Sequence, residues 1–406
     1  MKIYMKENVF DAAFARIERL YHEFGTIAVN SSGGKDSAIV MNMAILVARK
    51  LGKLPLDVIW LDQEYEWTET ARYMERLATN PDVKLHWYQI PSMLGNAFNA
   101  EDRFAHCWWP EEEWIREKSP FSVKENTFGT YRFKELLDTI PDTLGFKVVL
   151  TGVRGEESRA RMVGLTSGAT YKDITWGAKS SYDKDCYRFH PLYDWQYNDV
   201  WAAISQNKWD YNRVYDSFYK LGLPISKWRV SSLIHEQSFR DIFILQMVDK
   251  DMYQAISKKV GGISMGKNLG YTNMAHFEKP SWFSTWEDFF FYLMEHCDVL
   301  HVRDDYKALS IRNAIQVYTY LASFKYFAGE KNAKKADAFI QKNKDEAFRE
   351  LSKSILLNDF ENYRVGNLLM NIKGNTKTLL QRFGENGDNL DVRNTPKEYI
   401  INFINA

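Results

Sequence analysis

The sequence lacks the features that mark exported, membrane-spanning or metal-cluster proteins. Only three of its 406 residues are cysteines, and Cys107, Cys186 and Cys297 stand far apart, without a Cys-x-x-Cys pair. We therefore expect neither a disulfide framework nor a zinc or iron–sulfur site. No apolar run approaches the length of a bilayer span and no signal-peptide core follows Met1, so we expect a cytoplasmic protein without membrane contact.

An excess of charge of one sign is also missing, because 53 Lys and Arg residues balance 53 Asp and Glu residues. This balance removes any global electrostatic attraction to nucleic acid or to membranes. Hydrophobic residues are plentiful at 45%, and aromatic residues reach 15%. The chain can therefore bury a sizeable core, and its length predicts two domains.

The hydrophobic pattern changes along the chain. Strand-like and helix-like stretches alternate up to about residue 235, interrupted at about residues 91–141 by an aromatic and charged segment that we interpret as an insertion or lid. Long helical patterns dominate residues 236–406. We therefore predict an α/β domain with a doubly wound, mostly parallel sheet in residues 1–235, and a mainly helical C-terminal domain in residues 236–406.

The most informative segment is a strand that turns directly into a helix. The β-type run Thr26–Asn30 leads through two serines and two glycines into an apolar helix from about Asp36 to Leu51. Such a junction presents free backbone N–H groups and the positive helix terminus, which suit phosphate. Glycines let phosphate oxygens approach the backbone, serines donate hydrogen bonds, and a lysine adds charge. The loop residues that we expect to bind phosphate are Ser32, Gly33, Gly34, Lys35, Asp36 and Ser37.

This loop is not a Walker A motif, because Val29 stands where its first glycine would be. It resembles instead the SGGxDS signature of the PP-loop ATP pyrophosphatase superfamily. Three later stretches resemble the phosphoadenosine-phosphosulfate (PAPS) reductase-like family in the same order, over about residues 20–225. These stretches are Leu61–Trp67, Gly152–Arg161, and Pro191–Trp195 with Asp199–Trp201.

The resemblance implies a fold like that of the adenine nucleotide α-hydrolases and a loop that binds the pyrophosphate part of ATP. The long C-terminal extension and the Trp-Trp-Pro-Glu segment at residues 108–111 are similar to large bacterial and phage proteins labelled PAPS sulfotransferases. Some members of that subgroup act beside a ParB-like partner, so a ParB-like protein is a candidate partner of this chain.

Further site residues are expected where the predicted strands end. Arg154 and Arg161 follow a strand that should end beside the loop, and arginine suits a clamp on phosphate or sulfate. Asp62, after the neighbouring strand, would bind Mg²⁺ or the ribose, although helix capping or a salt bridge would also explain it. The expected nucleotide-binding residues outside the loop are Asp62, Gly152, Arg154, Glu157 and Ser158, and the expected catalytic residues are Lys35, Asp36, Arg154 and Arg161.

The chemistry itself stays open among three hypotheses. PAPS reductases carry a C-terminal Glu-Cys-Gly-Leu-His segment, whereas this chain ends in Ile400–Ala406 without cysteine; Cys107 and Cys186 are the remaining candidate nucleophiles. The first hypothesis is cleavage of ATP, with Mg²⁺, at the α-phosphate to activate an unidentified second substrate, with nucleic acid among the candidates. The second is a PAPS-dependent sulfotransferase or reductase-like reaction. The third is a non-catalytic, nucleotide-binding regulator that acts with a ParB-like partner or on DNA.

Overall fold

The computed structural model of the chain describes residues 6–99, 101–102, 104–166, 168–179, 186–230, 232–235, 242–263, 278–357, 359, 363–382 and 392–405. The strands are β1 Ala28–Asn30, β2 Leu56–Leu61, β3 Val83–Tyr88, β4 Ser92–Gly95, β5 Phe104–Cys107, β6 Val148–Leu150, β7 Gly177–Lys179 and β8 Tyr187–Phe189. The first nine helices are α1 Val9–Phe24, α2 Lys35–Lys50, α3 Thr68–Ala78, α4 Phe133–Thr143, α5 Arg159–Thr166, α6 Tyr197–Asn207, α7 Val214–Lys220, α8 Ile242–Val248 and α9 Lys250–Lys259. They are followed by α10 Trp286–His296, α11 Asp298–Val302, α12 Asp304–Ala328, α13 Ala333–Leu356, α14 Tyr363–Arg382 and α15 Lys397–Asn405.

Two compact units divide the chain. One comprises Met1–Leu94 with Phe104–Lys267, and the other comprises Gly95–Arg103 with Asn268–Ala406. The first unit contains the sheets, and the second contains the helices from α10 onward. The predicted domain boundary near residue 235 stays a prediction.

The main sheet of the first unit has six strands in the order β3-β2-β1-β6-β8-β7. The pairs β1–β2, β2–β3, β1–β6 and β6–β8 are parallel, and β7 pairs with β8 in the antiparallel direction at the edge. Flanking helices alternate with the strands along the chain, so the predicted mostly parallel α/β fold is confirmed. The chain runs outward from β1 to β3 and then returns to β6 on the other side of β1. Ligands collect at such a reversal of strand order, beside the carboxyl ends of the strands.

Helix α1 has clear signals at both of its ends. The Asn8 side chain caps α1 by accepting a hydrogen bond from the Asp11 N–H at 2.9 Å, and Gly25 ends it with φ of 78°. Helix α2 is more deeply buried, because eleven of its sixteen residues are buried, among them Lys35 and Ser37 of the first turn. Packing of this kind holds the first turn in place.

The second unit is entirely helical in its described elements, which confirms the predicted helical C-terminal region. Its core includes aromatic side chains from three helices, with the Phe348 ring centroid 5.3 Å from that of Phe290 and 5.4 Å from that of Tyr318. Apolar burial of this kind supplies most of the stability of a helical domain. None of the helices in the described ranges is both long and apolar enough to cross a membrane.

Candidate functional site

A glycine turn at the carboxyl end of β1 redirects the chain into α2. Gly33 has φ of +69°, a conformation that suits glycine, and a Cβ added there would lie 2.5 Å from Cγ2 of Thr70. The turn is held from the side by Asn212, whose amide donates to the Gly33 carbonyl at 3.0 Å and to the Thr70 hydroxyl at 2.8 Å. The loop therefore has a fixed shape before any ligand arrives.

The first turn of α2 faces a cavity. Gly34 precedes the helix without a side-chain cap within the described residues, and the Ser37 hydroxyl donates to the Gly34 carbonyl at 2.9 Å. The Lys35 N–H donates to the hydroxyl of Tyr215 at 3.1 Å. Burial raises the pKa of Tyr215, so this hydroxyl stays neutral. A helix N-terminus of this kind presents partial positive charge to the cavity.

Side-chain charges reinforce this terminus. The Lys35 ammonium lies 2.8 Å from one oxygen of Asp36, and Nε of Arg154 lies 2.7 Å from the other. Lys35 is 7% exposed and Arg154 is 4% exposed, so both cations are held in place with little solvent around them. Arg154 also contacts Glu156, through Nη1 at 3.0 Å. Asp36 thus orients two cations toward one end of the cavity.

A second arginine is anchored next to the first. Arg161 forms an ion pair with Glu157, whose other carboxylate oxygen accepts a hydrogen bond from the Arg154 N–H at 3.2 Å. Glu157 therefore links the backbone of Arg154 to the side chain of Arg161. The pair lies where the chain leaves β6, next to the end of β1 in the sheet.

The cavity has a volume of about 870 Å³ and is lined by residues of the first unit. The predicted site residues that line it are Ser32, Gly34, Lys35, Asp36, Ser37, Gly152, Arg154, Glu157 and Arg161. Gly33, Asp62 and Ser158 are not among the lining residues. Gly33 faces Thr70, and the Ser158 hydroxyl accepts a hydrogen bond from the Arg161 N–H at 3.2 Å, so these two shape the loops around the cavity.

The structure gives Asp62 a different setting from the one that the sequence predicts. Its carboxylate is fully buried and accepts hydrogen bonds from Trp87 Nε1 and Gln89 Nε2, each at 3.0 Å, and from the Glu64 N–H at 2.9 Å. It also forms an ion pair with Arg116. Both carboxylate oxygens are thus engaged inside the protein, so this arrangement gives no support to binding of Mg²⁺ or ribose by Asp62.

A resident metal site is not evident elsewhere. Across the residues that the structure describes, no group of three or more His, Cys, Asp or Glu side chains could hold a metal ion. Glu64, which follows Asp62 closely, is buried too, with its carboxylate 2.8 Å from the Lys259 ammonium. Asp62 and Glu64 therefore form internal ion pairs with distant cations.

Several residues that line the cavity were missed by the sequence analysis. They are Tyr197, Tyr215, Trp228, Arg229 and Arg188, the last of which pairs with Asp138 at 2.7 Å. Tyr215 lies 180 positions after Lys35, and no motif connects the two. Arg188 offered one signal, since it is a charged residue between Tyr187 and Phe189 in the strand that pairs with β6.

The cysteines do not have the setting of a nucleophile. Cys107 and Cys186 are both buried. Burial, followed by the nearby negative charge of Glu64, raises the pKa of the Cys107 thiol well above its usual range. A nucleophilic cysteine needs the opposite shift, because the thiolate is the reactive form. The candidacy of Cys107 as a nucleophile is therefore wrong.

This setting predicts the order of thiol modification. Iodoacetamide at pH 7.5 is expected to alkylate the half-buried Cys297 first and to leave Cys107 unmodified in the folded protein. Peptide mass spectrometry of a time course, with the same protein in guanidinium chloride as the control, checks this. Alkylation of Cys107 as fast as in the unfolded chain would contradict the buried assignment.

The family match to known proteins falls mainly within the first unit. Residues 26–222 match the family model described as the phosphoadenosine phosphosulfate reductase domain. The chain is 23% identical to the Escherichia coli (strain K12) protein named uncharacterized protein YbdN, over 65% of this chain and 68% of that protein. It is 24% identical to a phosphoadenosine 5'-phosphosulfate reductase of Synechococcus sp., over 52% of this chain and 76% of that protein.

Two solved structures each align with 53% of the chain. A PAPS reductase from Candida auris in a phosphate complex aligns with a TM-score of 0.30 and 13% identity, over 53% of this chain and 94% of that one. Candida glabrata FMN adenylyltransferase with FMN and the ATP analog AMPCPP aligns with a TM-score of 0.33 and 13% identity, over 53% of this chain and 63% of that one.

Strand order, the glycine turn and the charged cavity define a nucleotide-binding domain of the PP-loop class of enzymes. The family match covers residues 26–222, and over these residues the chain is similar to the phosphoadenosine phosphosulfate reductase domain.

Proposed function

We propose that the cavity binds an adenine nucleotide with its phosphates at the first turn of α2. On this proposal the protein is a cytoplasmic enzyme that cleaves ATP at the α-phosphate. The observation that carries the proposal is the ion-pair set of Lys35, Asp36 and Arg154, in which two buried cations share one partly buried carboxylate beside an open helix terminus. Fixed cations and backbone dipoles stabilise the negative charge that develops on a transferring phosphoryl group.

The proposed step is an adenylyl transfer. An oxygen of the second substrate attacks the α-phosphorus of ATP and forms a new P–O bond. The bond from the α-phosphorus to the oxygen shared with the β-phosphate breaks, and its electron pair leaves with pyrophosphate. Lys35 and Arg154 would neutralise the negative charge on the leaving pyrophosphate, and Mg²⁺ carried by the nucleotide would neutralise more of it. Asp36, the carboxylate at the helix terminus, would hold the two cations in place.

A second candidate substrate is PAPS. The family match and the Synechococcus relative named as a PAPS reductase favour it. Three further guanidinium groups line the cavity, those of Arg161, Arg188 and Arg229, and guanidinium suits a phosphate or sulfate with two bonds. On this alternative the cavity would take the 3'-phosphate and the sulfate of PAPS in addition to its 5'-phosphate.

The test is product analysis of labelled nucleotides. The full chain is incubated with ATP labelled at the α-phosphate or with PAPS labelled in the sulfate, with and without nucleic acid. Pyrophosphate release from ATP supports adenylyl transfer, and loss of sulfate from PAPS supports the second candidate. Tight binding of either nucleotide without turnover would favour the regulator that acts with a ParB-like partner or on DNA.

A further inference from the structure

Three buried oxygen atoms at the cavity wall have no hydrogen-bond partner in the described part of the chain. They are Oδ1 of Asn30, Oε1 of Gln63 and Oε2 of Glu66. All three residues line the same cavity. Most buried polar atoms in proteins are hydrogen-bonded, and a buried acceptor left alone is costly. Three such acceptors on one cavity indicate that a ligand satisfies them.

These acceptors lie at the ends of two neighbouring strands. Asn30 is the last residue of β1, Gln63 follows the last residue of β2 by two positions, and Glu66 is 3% exposed. Apolar residues of β2, Ile59 and Leu61, line the cavity as well. The α2 terminus, in contrast, offers hydrogen-bond donors and positive charge. The cavity therefore has a donor set for an anion and a separate acceptor set, which we call the acceptor triad.

The chemistry of the acceptor triad favours an N–H donor over a metal ion. Divalent cations in proteins prefer several carboxylates, whereas this set has one carboxyl group and two carboxamides. Burial, followed by the charge of Asp62, raises the pKa of Glu66 well above its usual range. This shift favours the neutral carboxyl group, which still accepts a hydrogen bond through its carbonyl oxygen.

We propose that the acceptor triad binds an amino group of the substrate, either the exocyclic amine of the nucleobase or a primary amine of the second substrate. This proposal rests on the proposed function, which places the phosphates of the nucleotide at the α2 terminus. An exocyclic amine supplies two N–H donors and a primary ammonium group supplies three, and these donors suit the buried acceptor oxygens.

The nucleobase source is tested with two nucleotides that differ by one group. Calorimetry compares ATP with purine riboside triphosphate, which lacks the 6-amino group. The wild type is expected to bind ATP about tenfold more tightly, and Glu66→Met, which removes both carboxyl oxygens at similar length, should reduce the ratio toward one. Glu75→Met, at an exposed position of α3, is the matched control and should keep the wild-type ratio.

The second source is tested without a nucleotide. Methylammonium, which has N–H donors, is compared with tetramethylammonium, which has none, as a ligand in thermal unfolding of the same three proteins. If the second substrate supplies the amine, methylammonium should raise the unfolding midpoint of the wild type and Glu75→Met more than that of Glu66→Met. In that case the wild type and Glu66→Met should each bind ATP and purine riboside triphosphate with equal affinity.

The inference is overturned if the wild type neither distinguishes the two nucleotides nor responds to methylammonium, or if Glu66→Met behaves like the wild type in both arms. The unfolding midpoints without ligand show whether Glu66→Met is folded, and Gln63→Met, which removes another acceptor of the triad, replaces it where it is not. Failure of ATP and PAPS to bind at all contradicts the proposed function instead, and the methylammonium arm still decides the role of the acceptor triad.

Discussion

Lys35→Ala is expected to lower the rate of pyrophosphate release from ATP by a factor of about 100 or more, with the fold unchanged. The lysine ammonium is buried at the start of α2, and no other lysine lines the described cavity. Its removal also leaves Asp36 with Arg154 as its remaining partner, so the field at the phosphates becomes less positive. A pyrophosphate-coupled assay at saturating ATP measures the effect on turnover.

The matched control is Lys50→Ala, at the other end of the same helix. Lys50 is exposed, pairs with Glu18 at 2.6 Å and lies outside the cavity. Surface ion pairs contribute about 0–1 kcal/mol to stability, so this variant should unfold and turn over much like the wild type. Equal rates for Lys35→Ala and Lys50→Ala would remove Lys35 from the proposed mechanism.

Local patterns explain which parts of this structure the sequence could predict. Strand β2, Leu56–Leu61, and helix α3, Thr68–Ala78, lie in the part of the chain where the sequence predicts alternating strands and helices, and each has a complete hydrophobic pattern and clear ends. The turn between β1 and α2 was equally clear, since two adjacent glycines followed by a helical pattern leave few alternatives. These features depend on neighbours in the chain, which a single sequence shows.

Contacts across long separations explain what the sequence could not predict. The sequence alone made Asp62 a reasonable cation ligand. In the structure its carboxylate is bound by Arg116 and Trp87, which lie 54 and 25 residues further along the chain. Antiparallel β7 was missed for a similar reason, because its three residues, Gly177–Lys179, have no strand pattern and depend on pairing with β8. Tertiary contacts decide both outcomes, and composition does not record them.

Gly152→Ala is expected to weaken binding of ATP or PAPS by about 100-fold, although it adds one methyl group. A Cβ at this position would lie 2.5 Å from the Asp36 carbonyl carbon and 2.6 Å from the Ser37 nitrogen. These are backbone atoms of the first turn of α2, and they have no side-chain rotation by which to move away. The turn itself must shift, and with it the N–H groups and Lys35 that face the cavity.

Overpacking of this kind also costs stability, about 1–3 kcal/mol. Gly164→Ala is the matched control, because Gly164 lies in α5 with no heavy atom within 4 Å of an added Cβ. Alanine favours a helix over glycine, so this variant should bind nucleotide normally and be as stable as the wild type or slightly more stable. Calorimetric titration and thermal unfolding of both variants test the two effects separately. Normal affinity in Gly152→Ala with lowered stability would show that the first turn of α2 tolerates displacement, and would move the phosphate-binding role away from its backbone.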